Sequence, residues 1–257
     1  MPLATDLDTG LQEFAAKRRV LVCLDFDGCV AELVADALAA TPVPVNAEAV
    51  ERLAVLDGVE LAYVSGRPLD TLRELAAPPL GTLLVGSHGA EKDLGSDSPG
   101  LQLDSAQQTA RQNILEALTE IVSRHSGAWL EHKPAGAAIH VRRIDDDAQA
   151  ESVLQEARDA LAGIEGVYPK EGKKILEAVV LQSTKGEAIE ELRAVLEPDA
   201  VLFVGDDVTD EQGFAVLGAG DIGIKVGSGE TLAAHRLPGP SSLAQVLNRL
   251  ADLRADL

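Results

Sequence analysis

The chain of 257 residues is 46% hydrophobic and 25% charged. This is the composition of a globular protein with one large domain or two modest ones, and it excludes wholesale disorder. With 22 lysines and arginines against 42 aspartates and glutamates, the net charge is −20, which argues against nucleic acid and anionic membranes as partners. The two cysteines form no disulfide framework, and no apolar run reaches the length of about 18 residues that a membrane span needs. We therefore expect a soluble, cytoplasmic protein.

Short aliphatic runs alternate with amphipathic stretches along most of the chain. The runs predict strands at residues 20–24, 59–64, 83–85, 201–204 and 222–226. The amphipathic stretches predict helices at residues 47–56, 69–76, 186–196 and 210–217. This alternation is typical of an α/β fold with a Rossmann-like, doubly wound parallel sheet, in which ligands bind beyond the carboxyl ends of the strands.

The middle of the chain departs from this alternation. It predicts a long helix at residues 104–126, strands at 128–132 and 137–142, a helix at 148–161 and two further strands, in the order αββαββ. We interpret residues 104–179 as an inserted α+β cap domain and residues 1–103 and 180–257 as the core. The chain enters the insert through a stretch rich in Gly, Ser and Pro at residues 95–100 and leaves it near residues 181–184.

Two carboxylates, Asp25 and Asp27, follow the first predicted strand directly. Asp and Gly are common in turns, so an ordinary turn is one interpretation of this segment. The alternative is a nucleophile and an acid/base group that share a divalent cation, since a cation offsets the repulsion between close carboxylates.

Polar residues also follow other predicted strands or begin helices. Ser65 lies between a strand and a helix, where it is either an N-cap or part of a phosphate site at the helix N-terminus. Lys185 begins a helix, a position that is unfavourable for a cation unless the cation serves a nearby anion.

Four acids follow the strand at 201–204, more than a helix N-cap requires. They are Asp206, Asp207, Asp210 and Glu211. Carboxylate ligands select a hard cation such as Mg²⁺, and we predict that Asp25, Asp27 and Asp206 hold it. The five histidines lack the spacing of a zinc site.

The order Asp-x-Asp, Ser, Lys and Asp-Asp resembles the haloacid dehalogenase superfamily of phosphotransferases. Within it, the chain resembles the trehalose-6-phosphate phosphatases over roughly residues 20–226. The segments that carry this resemblance are Gly86 to Glu91, Glu131 to Pro134, Ala138 to Arg142, Gly172 to Glu177, Lys185 to Ala188 and Gly205 to Glu211.

The resemblance implies a two-step phosphoryl transfer. Asp25 attacks phosphorus to form an aspartyl-phosphate, and Asp27 protonates the leaving sugar oxygen and then activates water. Ser65 and Lys185 hold the phosphoryl oxygens.

The resemblance also implies how the cofactor is held. Mg²⁺ is bound by Asp25, by the backbone carbonyl of Asp27 and by Asp206. Asp207 and Asp210 support the cation and the lysine.

The implied substrate is a small sugar phosphate. The residues expected to bind it are Gly66, Arg67, His88, Glu131, Lys133 and Glu177. For the last three, the pattern alone favours an exposed, charged strand face, and the resemblance favours contacts to sugar hydroxyls.

One departure and two alternatives accompany this interpretation. Cys29 stands where the family usually has Thr, and we expect it to serve packing. A phosphatase of the same fold that acts on sucrose phosphate or a hexose phosphate is the nearer alternative. A non-catalytic phosphate- or sugar-binding or receiver-like module is the other, although such a module has no use for a leaving-group acid at Asp27.

Overall fold

The computed structural model describes residues 3–95 and 101–256. The chain divides into two compact units, the first from residues 1–98 and 183–257 and the second from residues 99–182. The insert predicted at 104–179 lies inside the second unit. Of the linker predicted at 95–100, residues 96–100 lie outside the described residues.

Strands and helices are numbered along the chain. The strands are β1 (Val20–Leu24), β2 (Val59–Val64), β3 (Leu83–Gly86), β4 (Glu91–Asp93), β5 (Trp129–Lys133), β6 (Gly136–His140), β7 (Tyr168–Gly172), β8 (Ile175–Val179), β9 (Ala200–Gly205), β10 (Ile222–Val226) and β11 (His235–Leu237). The helices are α1 (Thr5–Ala15), α2 (Pro44–Ala54), α3 (Leu69–Ala76), α4 (Ser105–Arg124), α5 (Asp147–Leu161), α6 (Lys185–Leu196), α7 (Glu211–Ala215) and α8 (Leu243–Ala255).

The first unit contains a seven-stranded sheet in the order β11-β10-β9-β1-β2-β3-β4. All neighbouring strands are parallel except β3 and β4, which are antiparallel. The strand order reverses at β1, which pairs with β2 on one side and β9 on the other. Open α/β sheets bind ligands in the crevice at such a reversal, so the carboxyl end of β1 is the expected site of chemistry.

Both faces of this sheet are covered, which explains why its central strands are continuous aliphatic runs. Val20, Val22 and Leu24 of β1 pack into a core shared with α1, α2 and α8. The alternate residues Leu21 and Cys23 pack into a second core shared with α6 and α7. The predicted doubly wound α/β class is confirmed.

The second unit has the predicted order αββαββ and forms an antiparallel sheet, β5-β6-β8-β7. Its buried cluster combines one face of this sheet with apolar residues of α4 and α5. Because side chains alternate along a strand, the opposite face receives Glu131 and Lys133 of β5 and Glu177 of β8.

The structure extends the predicted set of elements at the chain ends and shortens one helix. The helices α1 and α8 are not among the predicted elements, and the helix predicted at 210–217 is the shorter α7, preceded by a 3-10 turn at Val208–Asp210. This turn forms because the Asp210 carboxylate accepts hydrogen bonds from the backbone of residues 206 and 207. No helix within the described ranges is both long and apolar enough to cross a membrane.

A buried amide, Asn46 of α2, joins three segments of the first unit. Its Nδ2 donates to the backbone carbonyls of Cys29, Val30 and Pro240 at 3.3, 3.1 and 3.0 Å. Its Oδ1 accepts from the backbone amide of Ala244, at the start of α8, at 3.0 Å. The side chain thereby fixes the turn after β1 against α2 and α8.

We expect Asn46→Ala to lower the free energy of unfolding by about 2–4 kcal/mol, because it leaves buried backbone groups without partners. Asn248→Ala is the matched control, since Asn248 accepts one exposed hydrogen bond from Arg52, and its effect should stay below about 1 kcal/mol. Urea unfolding followed by circular dichroism measures both. Equal effects of the two variants would contradict the assigned role of Asn46.

Candidate active site

The Asp25 carboxylate lies at the carboxyl end of β1, where the sheet fixes it in place. Its backbone amide continues the parallel pairing by donating to Val204 at 2.9 Å. The Oδ1 atom accepts from the backbone amide of Phe26 at 2.8 Å and lies 3.0 Å from the Lys185 ammonium. Only 4% of the residue is exposed.

Lys185 connects Asp25 to a second carboxylate. Its Nζ lies 2.7 Å from Oδ1 of Asp210, and both side chains are buried. Burial alone would lower the pKa of Lys185, but the carboxylates of Asp25 and Asp210 outweigh burial and raise that pKa. The ammonium therefore stays charged, and Lys185, predicted to hold phosphoryl oxygens, is held between two acids.

The helix that carries Lys185 has a complete N-terminal cap. The Thr184 hydroxyl accepts from the backbone amide of Glu187, and the Glu187 carboxylate accepts from the backbone amide of Thr184. This capping box fixes the first turn of α6 without the lysine. The unfavourable position of the cation at a helix start is thus explained by its carboxylate partners.

The carboxylates of this site outnumber its cations. Burial raises the pKa of Asp25 above its usual value, Lys185 opposes this effect, and Asp210 and Asp206 add to it. Burial also raises the pKa of Asp206 to about 6, and the neighbouring carboxylates of Asp210 and Asp207 contribute. Additional positive charge close to Asp25 and Asp206 would stabilise the ionised form of both carboxylates.

The donor atoms are arranged to accept such a charge. One atom each of Asp25, Asp206 and Cys29 lies within 4.8 Å of the others. Two of these donors are carboxylate oxygens, the ligand type that Mg²⁺ prefers, so the residues fit the predicted cation. The third donor is the thiol of Cys29. Burial and the nearby carboxylates hold the pKa of this thiol well above its usual value.

Gly28 is required for this close approach. Its φ is +73°, and a Cβ at this position would lie 2.0 Å from Oδ2 of Asp206. Any other residue at position 28 would push the Asp206 carboxylate away from the end of β1.

The Asp27 carboxylate contacts Arg67, and the cation contact expected from the backbone carbonyl of Asp27 stays a prediction. Arg67 donates to this carboxylate through Nε and one terminal nitrogen, both at 2.6 Å. The Arg67 guanidinium also lies over the Phe26 ring, 5.6 Å from the centroid. Arg67, predicted as a substrate contact, is thus engaged with Asp27.

Ser65 and Gly66 follow β2, the neighbour of β1, and His88 follows β3, the next strand of the sheet. Ser65 is 1% exposed, and its Oγ accepts from the backbone amide of Arg67 at 3.2 Å. The His88 ring packs over Gly66, where a Cβ would lie 2.4 Å from it. The backbone amide of His88 donates to Ser65 at 2.9 Å, so these residues form one connected segment.

Sequence reasoning missed a buried cation, Lys225 of β10. Its Nζ donates to the backbone carbonyl of Asp207 at 3.1 Å and lies 3.4 Å from Glu211. A single lysine inside an otherwise apolar buried strand was the available signal. Lys225 offsets part of the negative charge that follows β9.

In the second unit, the predicted sugar-binding residues share one face of the sheet. The strand register aligns Glu131, Ala138 and Glu177 across β5, β6 and β8. Lys133, two residues beyond Glu131, is on the same face and lies 2.7 Å from Glu131. The face that carries these residues is the one opposite the buried cluster.

Two residues that were not predicted for the site, His140 and Trp129, form contacts on this face. His140 Nε2 lies 2.8 Å from the Glu131 carboxylate, and its ring stacks on Trp129 at 4.6 Å between centroids. Burial alone would raise the pKa of Glu131, but the hydrogen bonds from Lys133 and His140 lower it. Glu131 is therefore an ionised acceptor.

Comparison with known proteins agrees with this geometry. The chain is 34% identical over 244 residues to the bifunctional trehalose-6-phosphate synthase/phosphatase of Thermoproteus tenax, covering 93% of this chain and 33% of that protein. It is 32% identical over 224 residues to the trehalose-6-phosphate phosphatase of Escherichia coli, covering 84% and 80%. The chain thus spans a third of the first relative and most of the second.

A solved structure and a family model cover the same region. The Aspergillus fumigatus trehalose-6-phosphate phosphatase superimposes with a TM-score of 0.70 at 25% identity, covering 98% of this chain and 99% of that chain. The family model described as trehalose-phosphatase matches residues 23–245, a range that includes every site residue named above. The chain therefore belongs to the trehalose-phosphatase family.

Proposed function

We propose that this protein is a Mg²⁺-dependent phosphatase that hydrolyses trehalose 6-phosphate to trehalose and inorganic phosphate through an aspartyl-phosphate on Asp25. The observation that carries the proposal is the buried Asp25 carboxylate, fixed 3.0 Å from Lys185 and grouped with Asp206. Family membership supports the substrate.

In the first step, an oxygen of Asp25 attacks phosphorus and the bond from phosphorus to the sugar oxygen breaks. The Oδ1 atom accepts from Phe26 and pairs with Lys185, which leaves Oδ2 as the attacking atom. Because Lys185 is charged and buried, it also stabilises negative charge that develops on the transferred phosphoryl group.

Asp27 moves the protons in both steps. It donates one to the leaving sugar oxygen, then accepts one from the water that attacks the aspartyl-phosphate and releases inorganic phosphate. The bidentate pair with Arg67 suits the step in which Asp27 accepts a proton. The step in which it donates one requires this pair to open.

Asp25, Asp206 and the backbone carbonyl of Asp27 are the proposed holders of Mg²⁺. When bound, the cation supplies positive charge that lets an anionic phosphoryl group approach two carboxylates. Ser65, at the end of the neighbouring strand, is proposed to hold a phosphoryl oxygen, and the helix start at Gly66 and Arg67 another.

The polar face of the second unit is proposed to bind the sugar. Glu131, Lys133 and Glu177 offer charged donors and acceptors in one row of the sheet, and charge-assisted hydrogen bonds to hydroxyls are the means of recognising a polyol. Trehalose carries such hydroxyls on both rings.

We expect Asp25→Asn to lower phosphate release from trehalose 6-phosphate by about 10³-fold or more, since the amide is a poor nucleophile. Removal of divalent cations with EDTA should abolish the wild-type activity, and added Mg²⁺ should restore it. Asp70→Asn is the matched control, because Asp70 is an exposed acid, and it should keep full activity. Activity that survives both Asp25→Asn and EDTA would exclude the proposed mechanism.

A panel of sugar phosphates tests the substrate. The proposal requires a higher kcat/KM for trehalose 6-phosphate than for sucrose 6-phosphate or a hexose 6-phosphate. A preference for a monosaccharide phosphate would replace the substrate while leaving the phosphatase mechanism in place. Phosphate binding without any turnover would favour the non-catalytic alternative.

We expect Asp27→Asn to separate the two steps. With trehalose 6-phosphate, kcat should fall by about 10²–10⁴-fold, because the sugar oxygen leaves without a proton. An aryl phosphate with an acidic phenol needs no such proton, so rapid-quench measurements should show a burst of phenol equal to the enzyme concentration. Loss of the burst as well would show that Asp27 is not confined to proton transfer.

We expect Glu131→Gln to raise KM for trehalose 6-phosphate by about tenfold, as expected for the loss of a charged hydrogen bond, while leaving an aryl phosphate unaffected. Glu171→Gln is the matched control, because Glu171 lies on the opposite face of the same sheet and pairs with Arg158. Steady-state kinetics with both substrates gives the comparison. Equal changes for the two substrates would contradict a role in sugar recognition.

A further inference from the structure

Cys29 introduces sulfur into a group of oxygen donors. The residue follows the turn after β1 and is fully buried. Its Sγ lies within 4.8 Å of a carboxylate oxygen of both Asp25 and Asp206. Among residues 3–95 and 101–256, no hydrogen bond to this thiol is formed, although its backbone amide donates to Phe26. A buried thiol without a hydrogen-bond partner among these residues therefore lies beside two carboxylates.

These three atoms fit a cation that accepts both sulfur and oxygen. In a tetrahedral site with bonds of about 2.0 Å to oxygen and 2.3 Å to sulfur, neighbouring donors are about 3.5 Å apart. Small side-chain movements bring donors that lie within 4.8 Å of one another to that spacing. Mg²⁺ takes oxygen ligands only, whereas Zn²⁺, Co²⁺ and Cd²⁺ also bind thiolate.

We propose that the carboxylate group of this protein is also a binding site for thiophilic divalent cations, which form a bond to Cys29 Sγ besides those to Asp25 and Asp206. When the metal–sulfur bond forms, the S–H bond breaks and its proton passes to solvent, with no change in oxidation state. Such a cation competes with Mg²⁺ for the same carboxylates. The inference concerns metal binding and does not depend on the identity of the sugar phosphate.

A purely structural role for Cys29 makes a different prediction. The thiol also touches the buried cluster that includes Phe26, Val30 and Ala31, and a cysteine that only fills space forms no bond to a metal. The distinguishing observation is therefore the sulfur bond itself.

Co²⁺ is the first probe, because a thiolate ligand gives a charge-transfer band in the near ultraviolet. The wild type should show this band with one equivalent of Co²⁺, and Cys29→Ser should lose it while it still binds the metal. Cys23→Ser is the matched control, because Cys23 is equally buried but packs in the core on the α6 side of the sheet. That variant should keep the band.

Zn²⁺ is the second probe, and its first measurement requires no variant. X-ray absorption of the wild type with one equivalent of Zn²⁺ should show a sulfur scatterer at about 2.3 Å. Titration calorimetry should show that Cys29→Ser weakens Zn²⁺ binding by about 10- to 100-fold and weakens Mg²⁺ binding far less.

Three results would overturn the inference. They are bound Zn²⁺ without a sulfur scatterer, no stoichiometric binding of Zn²⁺ or Co²⁺, and a charge-transfer band that persists in Cys29→Ser. None of these results bears on phosphate release with Mg²⁺, which is measured separately. Failure here is therefore distinguishable from failure of the proposed phosphatase activity.

Discussion

The ion triad of Lys185 with Asp25 and Asp210 is the interaction on which the site in the first unit depends. All three side chains are buried, and the desolvation of buried charges is costly unless each charge has a partner. The partners come from the end of β1, the start of α6 and the loop after β9. Removing one of them would leave an uncompensated buried charge, so the triad fixes three distant segments together and gives the carboxylate of Asp25 one position.

The triad also explains why additional positive charge would stabilise this site. The carboxylates of Asp25 and Asp210 already exceed the single charge of Lys185, and Asp206 adds a third acid beside Asp25, in a chain whose net charge is −20. An anionic substrate meets repulsion both from the whole protein and from this group. Lys225 contacts the backbone carbonyl of Asp207 and the Glu211 carboxylate, and its charge lowers the pKa of Asp206 without outweighing burial and the neighbouring carboxylates. The negative excess at Asp25 and Asp206 is therefore what a bound divalent cation would neutralise.

The sequence was sufficient to predict the central strands and the acids that follow them. It was not sufficient to predict which side chains pair with one another. Strands β1, β2 and β10 were predicted with their observed bounds because each consists mostly of apolar residues, as is typical of strands buried on both faces. Arg67 and Asp27 are 40 residues apart, and no local pattern shows that they meet. The apolar residues Leu7, Leu11 and Phe14 of α1 did carry a helical spacing, but their burial depends on contacts with the distant α8.

The proposed recognition of the sugar by the second unit follows a different physical rule from the proposed chemistry of the first. Antiparallel pairing places Glu131, Lys133 and Glu177 on one face of the sheet, whereas the sequence alone predicted only an exposed, charged strand face. On this partly exposed face, Glu131 already holds Lys133 and His140. A sugar hydroxyl that binds there must exchange with these partners or add to them, so the net gain per contact is small. Under the proposed function, discrimination among sugar phosphates would come from several such contacts acting together, whereas the triad around Asp25 would decide whether any phosphoryl transfer occurs.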